Sequence, residues 1–140
     1  MVLIDTSAWI VFFRKDGDLL TKLGVKGLLD AYEGGLCGAV EMEFFGGMRG
    51  KEAAQLLPFF DLIPYIKNDQ KIWRRSAWNF ARLKAAGFTL PWNDVLIATI
   101  ALENQVATYA LDKHFETMAE YLDLRLNEPG YNGQWNPDFA

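Results

Sequence analysis

Short apolar bursts alternate along the chain with longer stretches of helical period, which predicts strands joined by helices. Val2, Leu3 and Ile4 read as a buried strand ending at Asp5. A helix through Trp9, Ile10 and Phe13 then runs to Arg14 and Lys15, before the turn-prone Asp16-Gly17-Asp18. Residues 19–32 mix apolar and charged positions at helical spacing until Gly34-Gly35 stops them. Residues 36–40 read as a second strand, 41–49 as a helix ended by Gly50, and 52–60 as a short helix carrying Leu56 and Leu57. Residues 62–66 form a third strand, which Pro64 places at an edge. The longest helix spans 69–86, with Ile72, Trp73, Ser76, Phe80 and Leu83 at steps of three and four and Gly87 closing it. Its stripe Trp73, Ala77, Phe80 is expected in the core. Asn93 or Asp94 is expected to cap a helix over 95–103. A strand over 106–110, a helix over 113–121 and a last strand over 122–126 complete the pattern.

Strands separated by helices imply an α/β domain, with a short central parallel sheet covered by helices on both faces. Such sheets place their sites at the carboxyl ends of the strands. Residues 1–127 form this single domain. Residues 128–140, where Pro129, Gly130, Asn132, Gly133, Asn136 and Pro137 fall among aromatics, are expected to be an irregular tail lying on the body through Tyr131, Trp135 and Phe139.

With 140 residues, 51% of them hydrophobic, the chain can build a full core without disulfides. Its one cysteine, Cys37, sits in an apolar run and reads as a buried thiol. The apolar stretch over 2–13 is too short to span a bilayer, contains Asp5, and lacks a basic leader and a cleavage site. A soluble, cytoplasmic protein without a membrane partner is expected. The net charge of -4 argues against holding nucleic acid by bulk positive charge, but two bound divalent cations would cancel it.

The candidate chemistry lies in Asp5, Glu43, Asp94 and Asp112, each at a strand end or near a helix start with an apolar stretch beside it. Carboxylates gathered in one place repel, and cannot all stay ionised without a cation among them. Oxygen-only ligands suit Mg²⁺ or Mn²⁺. Asp5, at the start of a helix, reads equally as a cap or a ligand, and Asp94 and Asp112 also have capping readings. Glu43 is the inward carboxylate of the Glu41/Glu43 pair, because Phe44, Phe45 and Met48 form the apolar side next to it.

Asp5-Thr6-Ser7, then Glu43-Phe44-Phe45-Gly46-Gly47, then Asp94-Val95-Leu96-Ile97-Ala98, then Asp112-Lys113-His114-Phe115 resemble the ordered motifs of PIN-domain nucleases. The length and order most resemble the VapC-type toxins of bacterial and archaeal toxin–antitoxin pairs. The resemblance runs over about 2–126. It implies a PIN-like fold, metal binding by Asp5, Glu43, Asp94 and Asp112, and orientation of those carboxylates by Thr6, Ser7 and Asn93. It also implies a divalent-metal-dependent endoribonuclease, a homodimer, and an antitoxin whose C-terminal peptide covers the site. Two departures stand out: Ala110 where many relatives carry Thr, and few hydroxyls over 37–42. Neither removes a ligand position.

Arg14, Lys15, Arg49, Lys51 and Lys113 follow or flank these elements and are the candidate phosphate contacts, whereas Arg74 and Arg75 read as a solvated face. His114, the only histidine, reads as a surface or capping group, and nothing around Ser7 or Ser76 resembles a nucleophile elbow. Trp9 and Trp92 read as core, with base stacking as the alternative. Two other function classes remain. One is a non-catalytic RNA- or protein-binding module on the same fold, which the complete acid set disfavours. The other is a phosphoryl-transfer regulator, which the missing second Asp of an Asp-x-Asp motif disfavours.

Overall fold

In the computed structural model, which describes residues 1–139, the wholly buried strand β1 (Val2–Ile4) lies at the centre. Helix α1 (Thr6–Phe13) follows it directly, then α2 (Leu19–Asp30) and β2 (Gly34–Gly35). Next come α3 (Gly38–Gly46), α4 (Gly50–Phe60), α5 (Gln70–Ala85), α6 (Trp92–Glu103), β3 (Ala107–Tyr109) and α7 (Lys113–Leu122). The sheet order is β2-β1-β3, all parallel, with Val2 opposite Gly34 on one side and Ala107 on the other. The chain moves from β1 to one edge and then returns across to the other. Right-handed crossovers therefore lay the connecting helices on opposite faces. The expected α/β architecture is present, and no helix among the described residues is long and apolar enough to cross a membrane.

The sheet is narrower than expected. Residues 36–40 are not a strand: Leu36 makes one parallel bridge to Tyr65, and Cys37 is already the N-cap of α3. Residues 62–66 contribute only that bridge, beside Pro64, whose carbonyl accepts from Leu36 N–H at 2.9 Å. The expected last strand reduces to the bridge Thr108 to Leu126. These segments have β-prone composition, but each is used for a single ladder step before a helix or turn takes the chain away.

Two helix expectations fail for packing reasons. Asn93 and Asp94 do not cap α6, which starts at Trp92 after Pro91, so both lie inside its first turn. In α5 the buried stripe is Ile72, Ser76, Asn79 and Leu83; of the expected Trp73, Ala77 and Phe80, only Phe80 packs partly against the core. Asn79 Nδ2 donates to Thr99 Oγ1 at 3.1 Å, Thr99 Oγ1 donates to the Val95 carbonyl at 2.7 Å, and Ser76 Oγ donates to the Ile72 carbonyl at 2.8 Å. Every buried side-chain donor in this set finds an acceptor, which makes a polar seam between α5 and α6 tolerable. The helix is thereby rotated so that its tryptophans point outward.

An aromatic cluster joins α1, α3 and α4. Trp9 and Phe60 have ring centroids 5.0 Å apart, Phe44 and Phe60 5.1 Å, and Phe13 stacks on Trp9 at 6.0 Å. This cluster fixes the helix of Glu43 against the helix that Asp5 begins. Cys37 is buried, and burial raises its thiol pKa to about 11, as expected for an inert structural thiol.

The tail docks differently from the expectation. Trp135 is partly buried against the core, but Tyr131 is exposed and the Phe139 side chain lies outside the described residues. The contact is made by backbone. Gly133 holds φ +79° against Leu23 and Gly24 of α2, and a Cβ on Gly27 would overlap the Gly133 carbonyl. Only glycine allows both the left-handed backbone and the close approach.

Candidate active site

Asp5 leaves the carboxyl end of the central strand and N-caps α1: its Oδ2 accepts from Ser7 N–H at 3.0 Å and Ser7 Oγ–H at 2.6 Å. Ser7 Oγ in turn accepts from Leu111 N–H at 3.0 Å, tying the exit of β3 to the exit of β1. Asp5 is thus both a cap and an inward acid. Its other oxygen, Oδ1, is buried and has no hydrogen-bond partner.

Glu43 comes from α3 with both oxygens held. Thr6 Oγ1 donates to Oε1 at 3.0 Å and Asn93 Nδ2 donates to Oε2 at 2.7 Å. Glu41 is not among these partners: burial, and after it the charge of Asp61, raises its carboxyl above the usual range. Asp94, in the first turn of α6, accepts through Oδ2 from His114 Nδ1 at 2.8 Å. Asp112 N-caps α7 through His114 N–H at 3.0 Å, and its Oδ1 lies 3.0 Å from the same His114 Nδ1.

The acids form a row. Asp5 feels the charge of Glu43, and Asp94 feels those of Asp5 and Asp112. Asp5 is 4% exposed and Asp94 8%. Burial first, and neighbouring negative charge after it, pushes both carboxyls above the usual carboxylate range, against the lowering effect of Ser7 on Asp5 and His114 on Asp94. One ligand atom from each of Asp94, Asp112 and His114 lies within 4.8 Å of the others, the spacing of a cation site. Two buried acids with raised proton affinity, one bearing an orphaned oxygen, fit a divalent cation held by oxygen ligands.

His114 enters the site against the sequence reading, which left it on the surface. It sits on the exposed start of α7, as expected, but its ring turns inward to bridge two carboxylates. Its place two residues after a helix-capping Asp is the one sequence signal that would have found it. Trp92 also departs from expectation: it is 60% exposed, whereas Trp9 is fully buried. Among the basic candidates, Arg14 ends α1 and shares a groove with Glu43, Phe44 and Met48. Lys15 follows it in the turn, and Lys113 follows Asp112 directly; both are exposed. Arg49 is not on the helix of Glu43, which ends at Gly46, but is the N-cap of α4. Arg75 pairs with Glu103 at 3.4 Å and lies over the Trp78 ring.

No family model matches the chain. In sequence it is similar to the VapC ribonuclease Mb1587 of Mycobacterium bovis and to Ribonuclease VapC11 of Mycobacterium tuberculosis. Each is 29% identical over 130 residues, covering 89% of this chain and 96% of the relative. In structure it is similar to the crystal structure of FitAcB from Neisseria gonorrhoeae, with TM-score 0.65 and 20% identity over 86% of this chain and 94% of that one. The resemblance to VapC-type nucleases read from four short motifs therefore extends over nearly the whole chain, and the fold is the expected PIN-like one.

Proposed function

We propose that the protein is a divalent-metal-dependent endoribonuclease that hydrolyses RNA phosphodiester bonds and acts as the toxin of a type II toxin–antitoxin pair in the cytoplasm. The observation that carries this reading is the buried pair Asp5 and Asp94, one with an orphaned oxygen, in a row with Glu43 and Asp112. The similarity to proteins named as VapC ribonucleases supports the choice of RNA. The C-terminal peptide of an antitoxin covering the site, and a homodimer, are the partners the resemblance implies.

Asp5, Asp94 and Asp112, with Glu43, would hold Mg²⁺ or Mn²⁺. When bound there, such an ion would supply Lewis-acid polarisation of the phosphate and a water more acidic than bulk. The chain's own residues do the positioning. Ser7 fixes one oxygen of Asp5 and leaves the other free for a ligand. Thr6 and Asn93 hold Glu43 from two different helices, so its carboxylate cannot swing away from the row. His114 Nδ1 links Asp94 and Asp112, at 2.8 Å and 3.0 Å. Arg14 and Lys113 stand where they can meet phosphates flanking the acids.

The test is cleavage of RNA by purified protein across a Mg²⁺ and Mn²⁺ titration, with Asp94→Asn as the control for contaminating nuclease. Cleavage that needs the metal and is lost in Asp94→Asn is expected. RNA or protein binding without cleavage at any metal concentration would leave a non-catalytic module.

A further inference from the structure

α5 carries five basic residues, Lys71, Arg74, Arg75, Arg82 and Lys84, and no acidic one, in a chain of net charge -4. Beside it, between α5 and α6, lies a groove of about 240 Å³ lined by Trp73, Ser76, Ala77, Phe80, Trp92 and Leu96. Trp73 is 50% exposed. The one hydroxyl in the lining, Ser76 Oγ, is committed to the Ile72 carbonyl, so the groove offers flat apolar surface. Lys84 follows Phe80 by one helical turn, its Nζ 5.6 Å from that ring, and puts a cation at the groove. Trp92, which lines the groove, immediately precedes Asn93, whose amide holds Glu43, in the first turn of α6.

We propose that this groove is a base-binding subsite for single-stranded RNA, in which a nucleobase lies against Trp73 and Trp92 while Lys84 meets the backbone phosphate. The proposal rests on the ribonuclease reading and deepens it. Aromatic faces interleaved with basic residues suit bases joined by phosphates, and stacking of this kind tolerates any base. Charge decides between occupants. A second copy laid α5 against α5 would bring two all-basic helices together, whereas a polyanion complements them. Arg75 and Arg82, over the Trp78 ring on the other side of the helix, are not part of the subsite.

The experiment is binding of a short fluorescent single-stranded RNA to the full chain in EDTA, by anisotropy, so that cleavage plays no part. Trp73→Ala and Trp92→Ala should each weaken binding about 5- to 150-fold, the range that loss of one stacked base gives. Trp92→Phe should restore most of it. On an RNA of the same length carrying abasic sites, wild type and Trp92→Ala should bind alike, a result that a merely structural role for Trp92 would not produce. Lys84→Ala should reduce the slope of log affinity against log salt by about one contact. Because these side chains are exposed, melting temperatures of all variants should match wild type. Equal RNA binding by wild type and both tryptophan variants overturns the subsite while leaving the ribonuclease reading intact. No RNA binding by wild type in EDTA also overturns the subsite, whereas the ribonuclease reading stands or falls on the metal titration of cleavage. Sedimentation of the same variants covers the remaining occupant: a dimer that dissociates in Trp73→Ala and Trp92→Ala, with RNA affinity unchanged, assigns the groove to a second copy and overturns the proposal.

Discussion

Replacing Asp5 by Asn should stabilise the metal-free protein while abolishing its response to metal. Asp5 Oδ2 keeps its two bonds from Ser7 if an amide oxygen takes that position. The orphaned Oδ1 becomes an NH₂ group beside the carboxylates of Glu43 and Asp94, whose negative charge now attracts it. A buried acceptor left without a donor costs about 1–3 kcal/mol, so relief of that order is expected. At roughly 3 °C per kcal/mol for a chain of this size, the melting temperature in EDTA should rise by about 3–9 °C. Wild type should instead gain stability from Mg²⁺, about 2.7 kcal/mol at 100 times its dissociation constant, and the variant should gain far less. Thermal unfolding followed by circular dichroism, in EDTA and across a Mg²⁺ series, measures both effects. An Asp5→Asn protein that melts below wild type in EDTA would show that the ionised carboxylate is well accommodated, and the argument from burial would fail.

Three further outcomes follow from the same geometry. Burial raises the carboxyls of Asp5 and Asp94, so between the ordinary and raised values the folded chain holds more protons than the unfolded one. The stability they contribute therefore falls as pH rises through that window, and the advantage of Asp5→Asn over wild type in EDTA should shrink as pH is lowered towards 4, as melting curves at stepped pH will read. His114→Ala removes the Nδ1 contact shared by Asp94 and Asp112, so the metal-free melting temperature should drop while the Mg²⁺-induced rise grows; an unchanged Mg²⁺ response would show that the imidazole does not compete with the ion. Arg14→Ala should weaken RNA binding, measured in an Asp94→Asn background, more than Arg74→Ala with Arg75→Ala, because Arg14 shares a groove with Glu43 while Arg75 is engaged by Glu103 and Trp78; a larger loss in the double variant contradicts this RNA path.

Elements whose identity is decided locally were legible from the chain. Val2, Leu3 and Ile4 have no polar face, so only a strand buried on both sides suits them, and the acid that ends it must then lie at a sheet edge. Gly87 and Asp69 mark the ends of α5 within a residue or two. Segments that depend on distant partners were not legible. Residues 36–40 form an apolar run like β1, but the neighbouring strand position at Tyr65 accepts one bridge from Leu36 and then departs. The face of α5 was misread for a related reason. A helical period fixes which residues share a stripe, not which stripe is covered. The choice falls to Asn79 and Ser76 only once Thr99, twenty residues beyond Asn79, stands opposite.

The acid row divides along the same line. Asp5, Asp94 and Asp112 each owe their position to a junction that the local sequence creates, and an ordered set of such junctions on a parallel sheet falls at one edge. His114 owes its role to α6 arriving beside α7, and the sequence near it records only the capping Asp112 two residues earlier. Yet electrostatics alone asks for something of its kind. Two largely buried carboxyls next to two more acids need positive charge from somewhere, and Lys113 and Arg14 remain at the surface. The imidazole meets the acids as a hydrogen-bonding group, its Nδ1 2.8 Å from Asp94 Oδ2 and 3.0 Å from Asp112 Oδ1.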